Sequence, residues 1–168
     1  VRALYMATGM ADVARITGDK TLLEACRKLF NNLVRHRMYI TGGVGSTHIG
    51  EAFTFDDDLP NDTMYNETCA SIALCFFTRA MLQLELDSRY ADAMERVMYN
   101  GLISGVSLDG DKFLYVNPLA SRGLETFRAS GGTDPWIPDS GRHRRHWYAC
   151  ACCPPNVLRF MPKVGEYM

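Results

Sequence analysis

Hydrophobic positions recur at helical spacing over the first part of the chain. Leu4, Tyr5, Met6, Met10, Val13 and Ala14 share a stripe that runs to Thr17, where Thr17-Gly18-Asp19 interrupts it. The pattern resumes over 20–37 with Leu22, Leu23, Cys26, Leu29, Phe30, Leu33 and Val34, which predicts a helical hairpin. From Met38 to Asn61 no period persists, and so long a stretch without one in a compact domain is usually functional or mobile. A second helical pair is predicted over about 62–86 and about 89–105. Its first member is apolar nearly all round, through Ile72, Ala73, Leu74, Cys75, Phe76 and Phe77, as an inner helix would be. Its second carries one stripe of Tyr90, Met94, Val97, Met98, Leu102 and Ile103. Asp109-Gly110 marks a turn, and 113–119 reads as a short strand or extended segment. A polar insertion rich in glycine and proline follows to about Arg145. Beyond it, cysteines precede a helix start with proline in its first turn, where the missing N–H costs nothing.

Consecutive helical hairpins, an all-apolar inner helix and long loops at helix ends define an all-α class with a short β insertion. An (α/α) barrel fits better than a coiled-coil bundle, which would show a sustained heptad and short loops. The pattern opens inside a helix at Val1 and stops at Met168 without a terminating signal, so the chain is expected to be one part of such a barrel.

Composition narrows the partners. The 168 residues are 47% apolar, with 18 basic against 19 acidic side chains, which leaves no excess charge to follow a phosphate backbone. The densest basic cluster, Arg142 to His146, is too short for a nucleic-acid stripe, and no apolar run approaches bilayer length. Six cysteines, at 26, 69, 75, 150, 152 and 153, are spaced unlike a secreted disulfide scaffold; free thiols favour a cytoplasmic setting.

Glu67-Thr-Cys69 and Cys152-Cys153 offer three sulfurs and a carboxylate, a donor set that suits four-coordinate zinc. Glu67 and Cys69 lie about 200° apart round a regular helix, so they converge only from a loop or an irregular first turn. Thiols that are merely buried or free remain the alternative. Cys26, Cys75 and Cys150 are read as structural or spare thiols, Cys75 as core. Glu51, beside Ala52 and Phe53, is a candidate general acid, with a solvated loop carboxylate as the alternative. Asp56, Asp57 and Asp58 lack the spacing of a calcium loop and are read as turn and capping residues. Gly42-Gly-Val-Gly45-Ser-Thr47 lacks the lysine of a phosphate loop and reads as a backbone-dense turn near the site. His48 and Tyr115 are candidates for substrate contact, with Asn117 a further pocket residue.

Several motifs occur here in an order that resembles one enzyme family: Tyr39-Ile-Thr-Gly-Gly-Val-Gly-Ser, Gly50-Glu-Ala-Phe, Leu59-Pro-Asn-Asp-Thr, Glu67-Thr-Cys-Ala-Ser, Tyr99-Asn-Gly, Tyr115-Val-Asn-Pro-Leu and Cys152-Cys-Pro-Pro-Asn. They resemble the β-L-arabinofuranosidases of glycoside hydrolase family 127, with family 146 as a near relative. The resemblance implies a catalytic (α/α)6 barrel, of which 1–168 would be part, and release of terminal β-L-arabinofuranosyl groups with retention. It assigns Cys152 as nucleophile, Glu51 as general acid/base, and Glu67, Cys69, Cys152 and Cys153 as zinc ligands. The implied partners are a carbohydrate substrate and the remainder of the barrel, with a homodimer as a further candidate. Another glycan-cleaving enzyme on the same fold, or a structural zinc or helical scaffold module, would share many of these features.

Overall fold

The computed structural model describes residues 1–120 and 143–167, so most of the Gly- and Pro-rich insertion and Arg142 of the basic cluster lie outside the described residues. Helix α1 spans Arg2–Thr17 and α2 spans Lys20–Asn32, continuing as a π turn over Leu33–Arg37. Their junction is built from local chemistry. Gly18 adopts a left-handed conformation, φ 72°, and returns its N–H to Ala14 O, closing α1. The Asp19 carboxylate then accepts from the N–H groups of Thr21 and Leu22, opening α2.

Helix α3, Thr68–Leu84, is the inner element that its composition predicts: most of its residues are buried, on every side. It packs against α1, against α4 (Ser88–Arg96) and against α5 (Cys153–Phe160). Ala7, Ala11 and Ala14 line the buried side of α1, and such small residues let helices approach closely. Around α3 the core gathers Phe30, Phe77, Tyr90, Leu102 and Phe160, with Phe30 and Tyr90 edge to face at 4.5 Å between ring centroids. A polar tie closes the far end: Glu85 accepts from Arg27 and, at 3.0 Å, from the Tyr90 hydroxyl, and the Arg27 guanidinium holds its carboxyl below the usual carboxylate range. Among the described residues no helix is long and apolar enough to cross a membrane.

Three elements differ from the sequence reading. Helix α3 begins at Thr68, not near 62, because Asn66 is left-handed (φ 40°) and Glu67 is extended. The expected helix over 89–105 passes at Val97 into a π turn and at Ile103 into a 3-10 turn. Within that π turn Gly101 lets residues 41–43 lie against it, and its carbonyl accepts from Ser71 Oγ. The 113–119 segment is extended but forms only isolated bridges, Phe113 with Val106 and Arg145, and Val116 with Glu67, so the described residues contain no sheet. Pro162 ends α5 at Phe160 and the chain continues as a 3-10 turn, as its missing N–H requires.

Candidate metal centre and active site

Two helix N-termini meet at one point. Glu67 precedes α3 with extended backbone (φ −64°, ψ 139°), which removes the 200° divergence of a regular helix and lets its carboxylate join the Cys69 thiol. Cys152 and Cys153 stand at the start of α5, with Pro154 and Pro155 completing its first turn. Cys69 Sγ lies 3.5 Å from Cys153 Sγ, Cys153 Sγ lies 3.7 Å from Cys152 Sγ, and Cys152 Sγ lies 3.3 Å from Glu67 Oε1. All four donor atoms fall within 4.8 Å of one another.

These spacings fit a tetrahedral ion. Bonds of about 2.3 Å to zinc place two sulfurs ~3.8 Å apart, close to what is seen, whereas a disulfide would need about 2.05 Å. The charges point the same way. Burial, reinforced by Cys152, pushes the Glu67 carboxyl up to about 8. The hydrogen bonds that Cys153 and Cys69 give to Cys152 drive its pKa well below the ordinary thiol value and raise their own. A divalent cation is the charge that would let all four donors ionise together.

The burial is asymmetric. Glu67, Cys69 and Cys153 are buried, while Cys152 is partly exposed. Tyr115, itself buried, places its hydroxyl 3.2 Å from Cys152 Sγ, where it can donate to a thiolate. Glu51 occupies a short 3-10 turn, Ile49–Glu51, in a left-handed conformation (φ 50°) that is strained for a residue with a Cβ. Its Oε1 accepts from the Tyr65 hydroxyl at 3.0 Å and its Oε2 from Arg2 at 2.9 Å. His48 is exposed at the start of the same turn. Cys26 and Cys75 belong to the main core, and Cys150 packs beside the smaller cluster of Tyr65, Phe113, Tyr115 and Tyr148 under the site.

The glycine-rich turn is a scaffold for this centre. Gly42, at φ 84°, lies against the Val97 backbone, and the Gly45 carbonyl accepts from both Tyr65 and Asn66 N–H, at 3.1 and 2.9 Å. Asn66 and Asn117 clasp each other: Asn66 Nδ2 donates to Asn117 O and Asn117 Nδ2 donates to Asn66 O, each at 3.0 Å. Thr68 N–H donates to Tyr115 O at 2.9 Å. The Glu67 and Tyr115 segments are thereby locked together. Asn117, singled out as a pocket residue, serves this clasp. The aspartates pin the loop, Asp56 to Asn32 and Arg37 and Asp57 to His36, while Asp58 accepts from Thr54.

A Cβ on Gly43 would stand 1.9 Å from Asn66 Oδ1. Gly43→Ala must therefore displace the residue that precedes Glu67. Purified intact protein with this change is expected to bind a divalent metal about 10- to 100-fold more weakly, as loss of the groups that orient a ligand does. Metal titration checks it.

Sequence reasoning missed Tyr65, Arg2 and Asn66. Their only signals were proximity, Tyr65 and Asn66 directly preceding Glu67, and no periodicity or motif spacing marks a tyrosine that reaches back to Glu51.

A helical framework that joins two helix starts into a buried site of three thiols and a carboxylate, with a further carboxyl on a strained loop beside it, belongs to the class of glycoside hydrolase catalytic domains with which the chain compares. The β-L-arabinofuranosidase GH127 catalytic-domain profile matches residues 1–166, and the chain belongs to that family. It is 45% identical over all 168 residues to a non-reducing end β-L-arabinofuranosidase of Bifidobacterium longum subsp. longum, covering 25% of that protein. A GH127 β-L-arabinofuranosidase structure from Geobacillus stearothermophilus T6 is 53% identical with a TM-score of 0.88; 99% of this chain and 25% of that one are covered. A second GH127 β-arabinofuranosidase structure is 46% identical with a TM-score of 0.86, covering 99% of this chain and 24% of that one. The chain thus spans about a quarter of the length of these relatives.

Proposed function

We propose that this chain is part of the catalytic barrel of a retaining β-L-arabinofuranosidase and supplies its metal centre and both reacting side chains. Glu67, Cys69, Cys152 and Cys153 would hold zinc, Cys152 is the nucleophile, and Glu51 is the general acid/base. The single observation that carries this reading is the asymmetry of the cluster: four donors converge, and Cys152 is the one residue among them that is partly exposed. When bound, zinc would supply the positive charge that keeps Cys152 ionised at neutral pH and lowers its basicity enough for it to leave again.

The chemistry then runs in two displacements. Cys152 Sγ attacks the anomeric carbon, the C–S bond forming as the C–O bond to the leaving group breaks, while the Glu51 carboxyl gives its proton to the departing oxygen. A water next attacks the same carbon, Glu51 takes its proton, and the C–S bond breaks to return Cys152 as thiolate. Two inversions give net retention. Tyr115 O–H would donate to the thiolate between turnovers, and exposed His48 is a candidate contact for a sugar hydroxyl.

Glu51→Gln tests the acid/base role. It keeps the shape of the side chain and removes its proton, so in the intact protein it is expected to lower kcat/KM on an alkyl β-L-arabinofuranoside by about 100-fold or more. Unchanged turnover would remove Glu51 from the chemistry and favour a structural zinc module.

A further inference from the structure

We infer that Tyr65 is the positioning residue for Glu51, setting where its carboxyl stands relative to Cys152. The inference rests on the acid/base role of Glu51 proposed above. Glu51 is carried by a three-residue turn, flanked by Gly50 at φ 69°, and its side chain is 36% exposed. Such a turn cannot by itself hold a carboxyl to the few tenths of an ångström that proton transfer to a departing oxygen demands.

The chain solves this from the inside. Tyr65 is buried, 6% exposed, and its backbone N–H is fixed by Gly45 O at 3.1 Å, so the phenol is a rigid arm. Its hydroxyl donates to Glu51 Oε1 at 3.0 Å. Its ring packs edge to face on Tyr115, with 6.2 Å between centroids, and the Tyr115 hydroxyl lies 3.2 Å from Cys152 Sγ. The two packed phenols form a continuous, rigid connection from the carboxyl to the thiolate. Arg2 holds the other oxygen, Oε2, through a long, flexible side chain that is 76% exposed in this chain, so it fixes position less than a packed phenol does. The rigid partner is Tyr65. The Tyr65 hydroxyl also hydrogen-bonds with Tyr115, and its donation to a partly exposed carboxyl on a strained turn has its use in aiming that carboxyl.

Tyr65→Phe removes only the hydroxyl and keeps the ring in its packed place. The readout is kcat/KM on two substrates of the intact enzyme, which reports the first displacement: an alkyl β-L-arabinofuranoside, whose leaving group needs a proton, and a 4-nitrophenyl one, which leaves without it. The expected result is a loss of about tenfold or more on the alkyl substrate with little change on the nitrophenyl one. Equal losses on both, or none on either, would overturn the inference, because a merely structural defect does not distinguish leaving groups. Glu51→Gln run on the same pair separates the two layers. If it splits the substrates and Tyr65→Phe does not, the positioning role alone fails; if neither splits them, the acid/base assignment fails with it. Equal bound zinc in Tyr65→Phe and the unaltered enzyme excludes damage to the metal centre as the cause of a split.

Discussion

Replacing Cys152 with alanine is expected to leave the intact enzyme with no measurable glycosidase turnover, a loss of at least about four orders of magnitude in kcat. Among the four donors only Cys152 combines partial exposure with a thiol pKa held well below the ordinary value, by the hydrogen bonds of Cys153 and Cys69. Removing its sulfur takes away the atom that would bond to the anomeric carbon and one of the four metal donors together. Cys152→Ser separates these losses, since oxygen can still coordinate a metal but is far less ionised and less nucleophilic than sulfur near neutral pH. The serine variant should keep more zinc than the alanine one and remain as inactive. The direct check is capture of the sugar. In Glu51→Ala the second displacement lacks its base, so brief exposure to a 4-nitrophenyl β-L-arabinofuranoside should leave one pentosyl group on the peptide containing Cys152. Mass spectrometry that places the label on another residue, or finds none while the nitrophenol burst is present, would rule out sulfur as the nucleophile.

Stripping the metal is the second large effect. A strong chelator is expected to abolish activity, zinc to restore it, and magnesium or calcium to fail, because three sulfurs and one carboxylate suit a borderline-soft ion and not a hard one. Stability should fall as well. The cluster joins the N-termini of α3 and α5, so an ion held by all four donors would tie the two helix starts together. An ion bound to the folded state alone at a hundred times its dissociation constant contributes about 2.7 kcal/mol, so the apparent melting temperature should drop on chelation and recover on reloading. Cys69→Ala makes the same point without a chelator. Cys69 is 1% exposed and cannot meet a substrate, so loss of bound zinc and of turnover together in this variant would trace its effect to the metal. An enzyme that remains fully active with no metal by elemental analysis would overturn the assignment of this centre.

The helical hairpins were legible in the sequence because they depend on neighbours along the chain. The stripe of α1, the Gly18 and Asp19 caps and the all-round apolar face of α3 are encoded within a few residues of where they act. The start of α3 was not. Asn66 and Glu67 leave the helical conformation because Gly45, Asn117 and Val116 hold them from distant parts of the chain, so a local pattern extends the helix too early. The same holds for 113–119, whose strand-like composition finds single bridges where a sheet would need a continuous partner.

The site divides along the same line. The sequence by itself determined the donor chemistry: three sulfurs and a carboxylate of the right kinds, the need for Glu67 to sit outside a regular helix, and a second carboxyl at Glu51. It separated Cys69, in Glu67-Thr-Cys69, from Cys75, set among Leu74, Phe76 and Phe77, and packing turns the first toward Cys153 and the second into the core. Tertiary structure alone decided that the sulfurs converge within 4.8 Å of one another and of the carboxylate, that Cys152 is the one left partly open, and that a tyrosine reaches Glu51. The physical reason is one of range: periodicity and capping act over a turn or two of chain, whereas coordination and carboxyl positioning require groups that only the folded core brings together.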